Sequence, residues 1–165
     1  MDLETLHDLY MHELNDLYDA ENQIIEALPK MIDAASDSKL RDALSSHLEE
    51  TRQHARRLEQ IFQAHNVETE DQTCKGLEGI IDEGDDLLDE EMSPAIGDAA
   101  IIAAAQKVEH YEMASYGSAR TWANLLGHKK DAELLQQTLN EEGQADKKLT
   151  KIAESLNVEA VRRAG

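Results

Sequence analysis

The chain has 165 residues, of which 41% are hydrophobic and 4% aromatic, and its formal net charge is −19. This length is sufficient for one domain with its own apolar core. A nucleic-acid-binding protein needs a basic stripe to neutralise phosphates, and the acidic sequence offers none. No apolar run of about 18 residues is present, so we expect no membrane-spanning helix and no membrane partner.

The N-terminal segment and the cysteine content predict a cytoplasmic protein. The segment MDLETLHDLYMHEL is acidic and lacks the basic and apolar regions of a signal peptide. A single cysteine, Cys74, cannot form an intramolecular disulfide, and it fits a reducing compartment.

Four long segments have apolar residues at alternating intervals of three and four, which predicts four long helices. The first is predicted over about residues 3–35 and is distorted locally by Pro29. The second is predicted over about residues 39–65. The third begins near residue 94, where proline suits a first turn, and ends at a C-cap at Gly127. The fourth is predicted over about residues 130–156.

The two helix pairs are separated by residues 66–96, which hold three of the eight glycines and the second proline. A short helix is predicted there, around GLEGIIDEGDDLLDE. A short turn joins antiparallel neighbours, whereas a connection of about 30 residues can cross the whole length of a bundle. The sequence therefore predicts an all-α, ferritin-like four-helix bundle over residues 1–157. It has one long crossover carrying a short extra helix, and residues 158–165 are predicted to form a C-terminal tail.

Each of the four apolar stripes carries a carboxylate at mid-length, namely Glu21, Glu50, Glu112 and Glu142. The first two lie 29 residues apart and the last two 30 residues apart, so the halves resemble an internal duplication. An ionised carboxylate that is buried without a partner costs several kcal/mol. Protons, basic side chains or metal ions must neutralise such a group. Because the basic residues fall mostly off the stripes, a pair of divalent cations is the economical answer.

Three further side chains are candidate metal ligands. His54 lies four residues after Glu50, and Asp146 lies four residues after Glu142. Glu109 lies one turn before the mid-length carboxylate of the third helix, on the edge of the same face. Fe(II) and Mn(II) bind carboxylates and imidazole readily, so the spacing favours a site for these ions.

The remaining histidines and tyrosines are predicted to have other roles. His47 lies one turn before Glu50 and is interpreted as a hydrogen-bond partner of a ligand, with a ligand role as the alternative. Tyr18, Tyr111 and Tyr116 lie near the candidate ligands and are interpreted as core aromatics with satisfied hydroxyls. The other histidines are interpreted as structural or solvated, namely His7, His12, His65, His110 and His128.

Four stretches of the sequence resemble the YciE/YciF stress-protein family of the ferritin-like, rubrerythrin-type superfamily. They are YDAENQ, HLEETRQH, IAAAQKVEHYEMASYG and LLQQTLNEEGQADKKL. The resemblance covers about residues 3–157. It implies a carboxylate-bridged centre of two Fe ions, or Mn ions, and a ferroxidase-type oxidoreductase. Such an enzyme oxidises Fe(II) with oxygen or hydrogen peroxide in a stress or iron-handling role.

The resemblance also implies which residues hold the metals. The implied ligands are Glu21, Glu50, His54, Glu109, Glu112, Glu142 and Asp146. Glu50, Glu112 and Glu142 would act in catalysis through the metals. The sequence departs from the superfamily motif Glu-x-x-His, because His54 follows Glu50 by four residues and Asp146 replaces the second histidine. Six carboxylates exceed the charge of two divalent cations by two, so protons, a nearby cation or fewer ligands must balance the site.

Two alternatives remain open at this level. A manganese-type catalase or peroxidase could use the same scaffold and the same ligand types. A non-enzymatic helical stress or interaction protein could hold a structural metal site. In each case a homodimer is expected.

Overall fold

The computed structural model describes residues 3–70 and 72–163, without the side chains of residues 159, 162 and 163. Regular structure in these residues is entirely α-helical. The helices are α1 (Leu6–Ala34), α2 (Ser38–His65), α3 (Lys75–Leu88), α4 (Pro94–Leu125) and α5 (Lys129–Arg163). This order confirms the predicted all-α fold, with a short helix inside the long crossover.

The four long helices form a bundle in which α1 packs against α2 and α4, and α5 packs against α4 and α2. Short turns at residues 35–37 and 126–128 join α1 to α2 and α4 to α5, which makes each pair an antiparallel hairpin. The short helix α3 packs on the outside, against α4 and α1. This is the ferritin-like arrangement with one long crossover.

Local capping explains where several helices begin and end. Thr5 and Asp8 form a reciprocal capping box at the start of α1. At the end of α2, Asn66 adopts a left-handed conformation with φ 55°. Gly127 has φ 82° just after the end of α4, where it was predicted to act as the C-cap, because a left-handed residue there favours glycine.

The last helix is longer than predicted. It ends at Arg163 rather than near Leu156, so the predicted helix end is wrong. Leu156 and Ala160 are buried four residues apart, so they continue the apolar face of the helix beyond the predicted end. Residues 158–163 of the predicted tail therefore belong to α5, and residues 164–165 lie outside the described part of the chain.

Asp98 fixes the α1–α2 turn to the beginning of α4. Its carboxylate is 3% exposed and accepts hydrogen bonds from the backbone N–H of Ser36 at 2.7 Å and of Asp37 at 3.1 Å. The Ser36 hydroxyl donates a third hydrogen bond at 2.6 Å. These bonds hold the first hairpin against the second at one end of the bundle.

The apolar core has two parts, and the mid-length residues of the four long helices lie between them. One part includes Ile24, Leu28, Leu40, Leu44, Ile101, Ala105 and Leu149. The other includes Tyr10, Leu14, Leu17, Leu58, Ile61, Tyr116, Ala119 and Leu135. In the part of the chain that the structure describes, no helix combines the length and apolar character needed to cross a bilayer.

Candidate metal centre

Six buried residues meet between the two parts of the core, and none of them is more than 6% exposed. They are Glu21 from α1, His47 and His54 from α2, Glu109 and Glu112 from α4, and Glu142 from α5. They form two groups, and within each group the donor atoms lie within 4.8 Å of one another. Glu142 belongs to both groups, so its carboxylate joins them.

The two oxygens of Glu142 face different histidines. Its Oε1 lies 2.7 Å from Nδ1 of His54, and its Oε2 lies 3.8 Å from Nε2 of His47. On the first side, Oε1 of Glu21 lies 3.5 Å from Nδ1 of His54. On the second side, Oε1 of Glu109 lies 3.1 Å from Nε2 of His47. Each imidazole is thus surrounded by carboxylates, and Glu142 has the placement of a bridging ligand.

Most polar atoms of this cluster have no hydrogen-bond partner among the described residues. They are Glu21 Oε2, both ring nitrogens of His47, His54 Nδ1, Glu109 Oε2, and both carboxylate oxygens of Glu112 and of Glu142. The short contacts between imidazoles and carboxylates lack the alignment of hydrogen bonds. An unsatisfied buried polar atom costs about 1–3 kcal/mol, so the cluster calls for an additional partner.

The donor set fits two divalent cations. Four ionised carboxylates carry four negative charges, which two such ions neutralise. The excess of two negative charges that the six predicted carboxylate ligands would leave is therefore absent. Four carboxylates with two imidazoles are also the donor set of di-iron carboxylate proteins on helical bundles. The distribution over the helices differs from the usual one, because α2 supplies both histidines and α4 supplies two glutamates.

Burial gives the cluster unusual proton affinities. Burial raises the pKa of Glu112 well above its usual range, and the neighbouring carboxylates raise it further. Burial also raises the pKa of Glu109 to about 8, despite the contact with His47. For His54, burial opposes ionisation, but the contacts with Glu142 and Glu21 raise the pKa to about 10. Without metal, the cluster therefore retains protons on both imidazoles and carboxyl groups.

Glu142 is the exception among the four glutamates. Burial favours its neutral form, but the contacts with His54 and Glu109 and the charge of His47 lower its pKa to about 2. Glu142 is therefore the carboxylate that remains ionised between the two imidazoles.

The two histidines each turn their second ring nitrogen toward a carboxylate outside the cluster. Nε2 of His54 lies 2.9 Å from Oε2 of Glu141, and Arg57 donates hydrogen bonds to both oxygens of that carboxylate. Nδ1 of His47 lies 3.7 Å from Oε2 of Glu50. Metal-binding histidines usually donate their other N–H to such a carboxylate, which fixes the ring orientation. Both rings are therefore oriented as ligands would be.

Tyr116 contacts the cluster directly. It is 1% exposed, and its hydroxyl donates a hydrogen bond to Oε1 of Glu21. Burial raises the pKa of Tyr116, so the hydroxyl keeps its proton and remains a donor. The hydroxyls of Tyr18 and Tyr111 bind carboxylates elsewhere. Among the described tyrosines, Tyr116 alone donates a hydrogen bond to the cluster.

The structure brings five of the seven predicted ligands together and leaves Glu50 outside the cluster. The Glu50 side chain is 45% exposed, and His47 takes its place. At about 100° per residue, Glu50 lies about 60° to one side of His47 and Thr51 about 40° to the other. Thr51, Leu44 and Phe62 are buried, so α2 turns the Thr51 side inward.

Asp146 also lies outside the cluster. Its side chain is 19% exposed and accepts a hydrogen bond from Nε2 of Gln106 at 2.9 Å. Nε2 of His110 lies 3.3 Å away. These side chains of α4 hold the Asp146 carboxylate at the edge of the α4–α5 contact, away from Glu142.

Comparison with known proteins places the chain in a family. Residues 5–162 match the family described as a domain of unknown function, DUF892. Protein YciF of Escherichia coli (strain K12) is 43% identical over 154 residues, which cover 93% of each chain.

Solved structures agree with this match. The crystal structure of the E. coli stress protein YciF has a TM-score of 0.90 and 42% identity, and the match covers 93% of this chain and 97% of that one. YcfI of Rhodopseudomonas palustris has a TM-score of 0.88 and 44% identity, with coverage of 90% and 95%. A Xanthomonas campestris protein, 17% identical with a TM-score of 0.77, shares the fold. The chain belongs to the DUF892 family and is similar to the stress protein YciF.

Proposed function

We propose that the buried cluster binds two divalent metal ions and that the protein is a ferroxidase with a role in stress or iron handling. The observation that carries this proposal is Glu142, which directs one oxygen toward each imidazole and belongs to both ligand groups. The similarity to a stress protein supports the physiological setting.

The ligand groups assign each ion its own set of donors. One ion would be held by Glu21, Nδ1 of His54 and Glu142, and the other by Nε2 of His47, Glu109, Glu112 and Glu142. The set is rich in carboxylates and contains no sulfur, which favours Fe(II) and Mn(II) over softer ions. When the ions bind, they displace the protons that the carboxyl groups and imidazoles retain.

Two adjacent Fe(II) ions allow two electrons to leave together. As substrates, they lose one electron each, and one O₂ takes both electrons and two protons to become H₂O₂. With H₂O₂ as the oxidant, the same two electrons and two protons yield two molecules of water. Paired transfer avoids the release of a one-electron reduced oxygen species. The protein contributes a buried site and fixed ligands, and Tyr116 holds Glu21 in place.

A cleft gives Fe(II) a route to the cluster. His47 and Glu109 lie at its inner end, and Glu50, Glu141 and Lys148 are among its lining residues. The Glu50 carboxylate attracts cations, whereas that of Glu141 is paired with Arg57, so we assign Glu50 to metal uptake and to the orientation of His47 rather than to the ligand set.

Iron loading followed by oxidation tests the proposal. The protein is loaded with Fe(II) under anaerobic conditions, the bound iron is counted, and oxygen or H₂O₂ is then added while Fe(III) absorbance is followed. We expect about two Fe ions per chain, in accordance with a dinuclear carboxylate site. Glu112→Gln should lose both the iron and the rapid oxidation, because it removes a ligand. The glutamine keeps the size of the side chain and the neutral state that Glu112 has without metal. Glu49→Gln, on the exposed side of α2, is the matched control and should match the wild type.

Two outcomes would contradict the proposal. A wild-type chain that takes up no Fe(II) would overturn the dinuclear centre. Sustained H₂O₂ turnover by the manganese-loaded protein, without rapid Fe(II) oxidation, would instead identify a manganese-type catalase. The expected homodimer remains a prediction, which sedimentation equilibrium of the metal-loaded protein tests.

A further inference from the structure

Three histidines from separate parts of the chain converge at one end of the bundle. His7 lies in the first turn of α1, His65 is the last residue of α2, and His128 lies in the α4–α5 turn. One ring nitrogen from each lies within 4.8 Å of the others. The ring centroids of His65 and His128 are 4.6 Å apart, and that of His7 is 6.2 Å and 6.0 Å from these two.

A buried carboxylate orients His65. Asp131 is 6% exposed, and its Oδ2 lies 2.6 Å from Nε2 of His65 and accepts a hydrogen bond from the Tyr10 hydroxyl at 3.1 Å. A carboxylate can only accept a hydrogen bond, so Nε2 of His65 is the donor to Asp131, and Nδ1 is the ring nitrogen that a metal ion would bind. A carboxylate that accepts from one ring nitrogen is the usual outer partner of a metal-binding histidine.

His128 has an unsatisfied nitrogen. Its Nε2 is shielded from solvent and has no hydrogen-bond partner among the described residues. The Tyr10 ring stacks on the His128 ring, with centroids 5.9 Å apart and an angle of 25° between the planes. The imidazole is thus held in position, and one of its nitrogens lacks a partner that a cation would supply.

We propose that His7, His65 and His128 form a mononuclear site for a borderline divalent cation such as Zn²⁺, separate from the dinuclear centre. Three imidazoles without a carboxylate ligand suit Zn²⁺, Ni²⁺ and Cu²⁺. His54 and His65 are eleven residues apart on α2, which corresponds to about 16 Å along the helix. This distance is too great for one ion to bind at both places.

Small side-chain movements suffice to complete the site. Zn–N distances of about 2.0–2.1 Å place tetrahedral nitrogen ligands about 3.3 Å apart. The three nitrogens lie no more than 4.8 Å apart, and His7 is exposed and can approach by rotating its side chain. A bound ion would link the start of α1 to the end of α2 and to the α4–α5 turn.

Equilibrium dialysis against Zn²⁺, with metal counted per chain, tests the site. His128→Ala and His7→Ala each remove a ligand of the end cluster, so we expect its affinity for Zn²⁺ to fall at least about 100-fold. Each variant should therefore hold one Zn²⁺ fewer per chain than the wild type. His110→Ala is the matched control, because His110 is 66% exposed and lies outside the cluster. Zn²⁺ should also raise the melting temperature of the wild type and of His110→Ala by more than that of His7→Ala.

The variants differ in how strongly they are expected to disturb folding, because His128 is partly buried and His7 is exposed. Should His128→Ala fail to fold, the exposed His7→Ala decides alone. Asp131→Asn keeps the size of the side chain and weakens the orientation of His65, and we expect Zn²⁺ affinity to fall about tenfold. Zn²⁺ stoichiometry and affinity in His7→Ala equal to those of the wild type would overturn the proposal.

Discussion

The two histidine-containing clusters differ in charge and burial. The central cluster combines two imidazoles with four carboxylates, and none of the six residues is more than 6% exposed. The end cluster has three imidazoles, with His7 exposed and one carboxylate, Asp131, as an outer partner. Buried carboxylates need compensation of their charge, whereas the three candidate ligands of the end cluster include no carboxylate. Without metal, the central cluster therefore retains protons, whereas the candidate ligands of the end cluster carry no negative charge that protons or metal must balance.

The ligand types of the two clusters predict different metal preferences. Carboxylates select Fe(II) and Mn(II), which bind weakly to most other sites, and imidazoles alone select Zn²⁺ and its neighbours in the affinity series. Protein net charge of −19 attracts all of them, so only the ligand types distinguish the two places.

Reciprocal variants give the largest expected effect. Glu112→Gln should abolish Mn(II) uptake at the central cluster and leave the Zn²⁺ of the end cluster in place. His128→Ala should do the reverse, because the two sets share no residue. Elemental analysis after loading with Mn(II) and Zn²⁺ measures both at once. Loss of both metals in either variant would show that the two clusters do not bind metal independently.

The charged state of Glu142 predicts the largest effect on stability. Glu142→Gln removes the ionised partner of His47 and His54, and breaking such a buried pair costs about 3–5 kcal/mol in unfolding free energy. Glu112→Gln should cost the metal-free protein less than about 1 kcal/mol, because its carboxyl group is already neutral. Urea unfolding of the metal-free variants at pH 7 measures the difference. Equal losses in both would contradict the assignment of charge to Glu142.

The pH dependence should separate metal-free from metal-loaded protein. The pKa of Glu109 rises from 4.5 to about 8 on folding, and that of His54 from 6.5 to about 10. The folded state therefore binds these protons more tightly than the unfolded state, and the bound protons stabilise the fold. This contribution is lost as pH rises from 4.5 to 8 for Glu109 and from 6.5 to 10 for His54. Because a bound metal ion would replace these protons, we expect Mn(II) affinity to rise over the same pH range. Unfolding curves at several pH values, with and without Mn(II), provide the measurement, and metal-free stability that increases with pH would refute it.

The outer carboxylates predict a smaller effect. Glu141→Gln weakens the bond to Nε2 of His54, and we expect Mn(II) affinity at the central cluster to fall about tenfold. Glu50→Gln should have less effect, because the Glu50 carboxylate is 3.7 Å from His47 and 45% exposed. Mn(II) titrations of the two variants rank them, and an equal or larger loss in Glu50→Gln would favour a ligand role for that residue.

Apolar spacing predicted the bundle, the crossover and most of the central cluster. Glu21, Glu112 and Glu142 were identifiable because each interrupts an apolar stripe near the middle of a helix. Glu109 followed from its spacing to Glu112, and His54 followed from its spacing to Glu50. The end of α5 was missed, because NVEAVRR looks polar although Leu156 and Ala160 face the core four residues apart.

The rest depends on helix rotation and on contacts between distant residues. An apolar stripe fixes the rotation of α2 about its axis only to within about 50°, which is half the angle between consecutive residues. This uncertainty decides whether Glu50 or Thr51 faces the core. His47 could have been recognised from its spacing of seven residues, or two turns, before His54. The end cluster gives no local pattern, because its histidines come from the ends of three segments that meet only in the folded chain.

The hydrogen bonds of Asp98 have a consequence for the order of folding. They join residues that are 62 positions apart across the crossover, so they form after the two hairpins have met. Contacts that are absent from the folding transition state affect unfolding rates more than folding rates. Asp98→Asn should therefore accelerate unfolding while folding proceeds at nearly the wild-type rate, as stopped-flow measurements in urea would reveal. Asp98 thus acts as a latch that determines how long the closed bundle lasts and has little influence on how fast it closes.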